Sequence, residues 1–207
     1  AQTGRLTVGS GAELVKSGSG TGSISDYTLA TTGTGRVKVL EGSIAANTTT
    51  PLTPIIDNQG VFEFAGDGSV LNTGGGTFKN NGGSVIKSAG SGVSSLGLRV
   101  EDTNGQWTVG SGTLKLDGSG VVGTGTLTVN PGAGTLEFNA GRFIGTAINA
   151  AAGSTVDITS GFTSSLGTYT SAGTTNFKGV YAWDIGSYAS TGTTNFAGES
   201  MQFGLGE

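Results

Sequence analysis

Gly125 to Phe138 reads GTLTVNPGAGTLEF and carries one short module twice, nine residues apart. Each copy opens on a glycine and a polar residue, after which apolar and polar side chains alternate with the period of a half-buried strand. That period turns Leu127 and Val129 toward a core with Thr128 outside, then Leu136 and Phe138 with Glu137 outside. Asn130-Pro131-Gly132 between them is strong turn chemistry, because proline fixes its φ and glycine accepts φ > 0.

Variants of the module begin at Gly4 (GRLTV), Gly35 (GRVKV), Gly60 (GVFEF), Gly105 (GQWTV) and Gly112 (GTLKL), and GTTNF occurs identically at Gly173 and Gly192. One series of starts is Gly60, Gly83, Gly105 and Gly125; a second is Gly134, Gly153, Gly173 and Gly192. Within each series the spacing is near-constant at roughly 20 residues, and a period of this size marks a repeat architecture. With short strands and no helical pattern, it predicts an all-β solenoid in which each repeat is one coil on the last. About 20 residues per coil gives about ten coils in 207 residues. The expected core is Leu6, Val8, Val37, Val39, Phe62, Phe64, Trp107, Val109, Leu114, Leu116, Leu127, Val129, Leu136, Phe138, Val156 and Ile158.

Glycine supplies 41 residues and proline 3, so glycine punctuates turns and does not build a collagen-like triplet. Hydrophobic residues reach only 34%, which is thin for a globule but enough for coils that each bury one inward row. Disorder is the rival reading of so much Gly, Ser and Thr. The aromatic and β-branched residues fall in register at alternate positions, which favours order. No stretch approaches the roughly 20 apolar residues of a membrane-spanning helix. Ala1-Gln2 suits an end left by signal-peptide cleavage as well as one left by a cut chain.

Two stretches break the rhythm. Ala45 to Asp57 holds two prolines and a threonine run, which predicts a longer loop leaving the coil. Residues 179–207 are rich in large side chains and read as a terminal coil that docks on something, beyond a solenoid body at 1–178.

The runs GRLTVGSGAELVKSGSGTGSISDYTL, FEFAGDGSVLNTGGGTFKNNGGSVIKSAGSG and GTLTVNPGAGTLEF resemble the repeat regions of secreted bacterial surface proteins, the autotransporter-passenger and filamentous-haemagglutinin-like group. The similarity runs from Gly4 to Ile158 and includes no catalytic motif. It implies a right-handed parallel β-helix outside the cell, at the cell surface, serving as stalk, fibre or adhesin.

Chemistry finds little to work with. The chain has no cysteine and no histidine, which removes thiol chemistry and the commonest acid-base group and metal ligand. Parallel β-helices also house polysaccharide lyases and hydrolases, and glycoside hydrolysis needs two carboxylates roughly 5–10 Å apart. The close pairs are Glu101-Asp102, read as a turn, and Glu63 with Asp67, read as solvated; neither makes an acid-base set, and no catalysis or cofactor is expected. AGDGSVL and LDGSGVV resemble fragments of the calcium-binding nonapeptide, but Asp67 and Asp117 stand singly where that motif needs tandem copies. Asn47-Thr48-Thr49 fits a glycosylation sequon on the expected loop. A net charge of −4 without a basic cluster argues against nucleic acid and acidic membrane surfaces as partners. Ice binding is another use of Thr-rich solenoids and calls for a flat, Thr-bearing row at one outward slot. The slot between inward residues runs Thr7, Lys38, Glu63, Thr108, Lys115, Thr128, Glu137, Asp157, Asn176 and Asn195, and its mixed charges speak against one.

The expected function is a fibre or stalk subunit that stacks on itself head to tail. An adhesin for surface polysaccharide or a receptor is the alternative, kept open by Tyr181, Trp183 and Tyr188, and a polysaccharide-active enzyme a more distant one. A solenoid exposes unpaired backbone groups on its first and last coils, which proteins normally cover. No charge run or proline cluster covers either end here. The expected self-association residues are Leu6 and Val8 at one end, and Tyr181, Trp183, Phe196, Met201, Phe203 and Leu205 at the other.

Overall fold

The computed structural model describes residues 4–47, 53–139, 143–145, 147–159, 164–179, 181–198 and 201–205; of 143, 164–166, 181–185 and 201–205 it describes the backbone alone. Every element among them is a β-strand. Mid-chain, one turn consists of three: Thr77–Asn81, Ser84–Lys87 and Val93–Leu96. The next repeats them as Arg99–Thr103, Gln106–Val109 and Thr113–Leu116, each parallel to its counterpart and paired with it. The result is a β-solenoid with three faces.

The first face runs from Gly4–Val8 at one end to Met201–Leu205 at the other. The second begins at Glu13–Lys16. Long strands such as Tyr27–Val39 and Ile55–Phe64 cross both faces and join them into one sheet. The third is a separate sheet of nine strands, from Thr21–Ser25 to Thr193–Phe196. Nine rungs are eight steps, so the rod has about eight turns, not the ten that the spacing predicts. The C-terminal turns are as short as expected, with Thr174 paired to Thr193. The N-terminal ones are longer, with Thr28 paired to Ile55.

The expected loop falls in that turn; its two ends, residues 45–47 and 55–57, are strand, and residues 48–52 lie outside the described residues. Ser43–Asn47 and Ile55–Phe64 are strands at its two sides, and Ala45, Ala46 and Ile56 are buried. Asn47 ends its strand half-buried, and the other two sequon residues lie outside the described residues.

Alternation decides the core. Thr113–Leu116, Thr135–Phe138 and Thr155–Ile158 share one pattern, with the second and fourth residues buried. Fifteen of the sixteen expected core residues are buried; Leu6 is the exception, at 54% exposure. It sits in the first described strand, which among the described residues pairs on one side only, with Tyr27–Val39. Rings interlock between turns: Phe62 meets Phe78 edge-on at 5.2 Å, and Phe78 meets Trp107 at 6.3 Å.

Candidate functional site

Polar residues occupy inward slots in the middle of the rod. Val8, Thr31, Asn58, Asn80 and Asp102 form one column of the first face. The Thr31 hydroxyl donates to Asn58 Oδ1 at 2.7 Å, Asn58 Nδ2 to Asn80 Oδ1 at 2.9 Å, and Asn80 Nδ2 to Asp102 Oδ2 at 3.1 Å. The ladder ends on Asp102, which also accepts from Trp107 Nε1 at 2.9 Å and the Gly105 amide at 3.0 Å. Space for it comes from absent side chains. A Cβ on Gly105 would lie 1.9 Å from Asn80 Nδ2, and one on Gly83 2.5 Å from Asn58 Nδ2. Burial raises the Asp102 pKa, against the lowering effect of the Gly105, Trp107 and Asn80 donors.

Lys87 is a second inward polar residue, fully buried in a slot that neighbouring turns fill with Phe64 and Val109. Its ammonium donates to Gly66 O and Asp67 Oδ1 at 2.9 Å, Ser94 Oγ at 3.1 Å and Ala89 O at 3.2 Å. This cation holds the Asp67 carboxylate that resembles a calcium ligand in sequence, and lowers its pKa. Ser94 is buried beside it and donates to Gly66 O, so the pair offers no accessible nucleophile.

The carboxylates noted in the sequence are thereby relocated. Glu101 and Asp102 point to opposite sides of one strand. Glu101 faces Lys79 and Arg99 outside, while Asp102 is buried, which corrects the turn reading. Glu63 points outward as its register predicts, yet Arg36 Nη1 and Ser88 Oγ cover it, each at 2.5 Å, and only 6% stays exposed. Burial alone would raise its pKa; the Ser88 and Arg36 hydrogen bonds and the Arg36 and Lys38 charges outweigh that and lower it. Among the described residues no three Asp, Glu, His or Cys side chains gather as a metal site. None of the described elements is a helix long and apolar enough to cross a membrane.

Apolar side chains are exposed on the outermost described turns at both ends of the rod. The N-terminal end opens on a cavity of about 600 Å³ lined by Leu6, Leu14, Val15, Ile24, Tyr27 and Leu29 among others. Leu6 and Tyr27 are each 54% exposed and Val15 45%. At the C-terminal end Phe196 is 53% exposed, and its ring stacks on that of Phe177 at 5.2 Å and 13°. Beside it Asn195 Nδ2 donates to Asn176 Oδ1, and Asn176 Nδ2 to Asp157 Oδ1.

Of the expected interface residues, Leu6 and Phe196 are thus exposed at opposite ends, while Val8 is buried in the core. Strand pairing sets Tyr181 against Met201, Trp183 against Phe203 and Ile185 against Leu205; their side chains, and with them the rest of the C-terminal reading, lie outside the described residues. Sequence reasoning missed Leu14, Val15 and Tyr27. Glu13–Lys16 pairs, among the described residues, with Tyr27–Val39 alone, and its side chains are exposed or half-buried. No protein-family model, curated protein or solved structure matches the chain.

Proposed function

We propose that this protein is a structural subunit of an extracellular fibre or surface stalk, built by stacking right-handed solenoid rods end to end. The hand follows the strong preference of parallel strand connections for a right-handed crossover. The observation that carries the reading is the open N-terminal end, with its apolar cavity and exposed Leu6, Val15 and Tyr27. Among the described residues Thr21–Ser25 pairs only with Ser43–Asn47, so its other edge offers a row of backbone donors and acceptors. A second copy would supply hydrogen-bonding partners for one edge and an apolar cover for the cavity. The contact joins unlike surfaces, so it propagates as a filament. The role assigns the chain no catalytic step.

Electron microscopy and light scattering of the purified protein over a concentration series test this. Filaments of one rod's width are expected, and Phe196→Asp is expected to shorten or abolish them while the circular dichroism of the coil is unchanged. A monomer at every concentration would defeat the reading.

A further inference from the structure

The slot between inward residues, one mixed row in the sequence, divides among three faces in the structure. Lys115, Glu137 and Asp157 stand on the third face. Lys38 and Glu63 stand on the N-terminal half of the second. The C-terminal half of that second face is left without charge. Three successive rungs there present Thr126 and Thr128, Ala147 and Asn149, and Thr168 and Thr170 outward, while Leu127, Ile148 and Tyr169 between them are buried. Thr126 pairs with Ala147, Thr128 with Asn149, and Asn149 with Thr170. Gln106 extends the array on one side by pairing with Thr128, and Ser187 and Ala189 extend it on the other by pairing with Thr168 and Thr170.

We propose that this half-face is an ice-binding surface. Its outward positions, filled by Thr, Ala, Asn and Ser, repeat at ~4.8 Å from rung to rung and ~6.6 Å along each strand. A two-dimensional array of that kind recognises a surface that is itself a regular, uncharged array. Charged side chains keep tightly held water, which cannot join a crystal lattice. Methyl groups restrict the orientation of first-shell water, and hydroxyls and amides anchor it by hydrogen bonds. A crystalline polysaccharide is the weaker match, because no aromatic ring points outward from these rungs for a sugar to stack on. The third face carries a longer threonine column, five rungs from Thr113 to Thr193. Its neighbouring column carries Lys115, Glu137 and Asp157, so it lacks a second uncharged rank. The array lies along the rod's side and is independent of end-to-end stacking.

The test is inhibition of ice recrystallisation in frozen sucrose solution, with an unrelated soluble protein as control. Wild type is expected to keep crystals small. Asn149→Lys is expected to lose at least about tenfold in potency by placing a hydrated charge in the array. Asn176→Lys, on the third face, is expected to retain it. Thr168→Tyr, which adds bulk without charge at an exposed position, is a second disrupting variant should Asn149→Lys fold poorly, and Phe196→Asp is expected to keep full potency. Wild type no better than the control overturns the proposal. So does equal potency in Asn149→Lys and Asn176→Lys, or binding to crystalline cellulose without any effect on ice.

Discussion

Lys87 shows what a single residue contributes to this fold. A long cationic side chain fills a slot built for Phe or Val because the turn around it supplies four oxygen acceptors. Lys87→Met keeps the volume and removes the donor of four hydrogen bonds; a loss of about 1–3 kcal/mol is expected in urea unfolding. Asp102 and Glu63 set opposite pH dependences. The folded Asp102 pKa lies above its ordinary 3.8, so between those values the folded state holds the proton more tightly. Stability from this group is therefore present at low pH and falls as pH rises through the window. The folded Glu63 pKa lies below its ordinary 4.5, so its contribution is present above that value and is lost as pH falls through the folded one. Urea midpoints across the acid range check both: Asp102→Asn is expected to abolish the first slope and Glu63→Gln the second, whatever each does to the absolute level.

At the scale of the strand, alternation was legible and composition of the inward row was not. Thr77–Asn81 reads TFKNN, and period two does place Phe78 and Asn80 inside. Nothing local says that Asn80 finds Asn58 above and Asp102 below, since those partners are each 22 residues away. Nor could the spacing assign a slot to a face, because turn length is not constant. Stacked Asn176 and Asn195 are 19 residues apart in the chain. Stacked Thr31 and Asn58 are 27 residues apart. That is why the outward row read as mixed, and why ten coils were expected where about eight turns exist. Leu6 shows a third limit: its register is that of a core residue, yet it is exposed in the first described strand, which pairs on one side only among the described residues. The interior and exterior ladders should differ in worth. Asn80→Ala removes two fully buried hydrogen bonds and is expected to cost about 2–4 kcal/mol, whereas Asn176→Ala, on the solvated face, is expected to cost less than about 1. Thermal unfolding of the two variants side by side makes the comparison.

At the scale of the molecule, polar ladders and interlocked rings fill the central turns, while among the described residues Leu6, Val15 and Tyr27 stand exposed around the N-terminal cavity and Phe196 on the last rung of the third face. The proposed end-to-end stacking would carry the strand repeat unbroken across subunits, so its most direct test is diffraction from aligned filaments. The expected result is a strong reflection at ~4.8 Å on the fibre axis, the spacing of hydrogen-bonded strands, with rods of one solenoid's width. Filaments whose ~4.8 Å spacing lies across the axis would contradict the account, because the rods would then associate side by side.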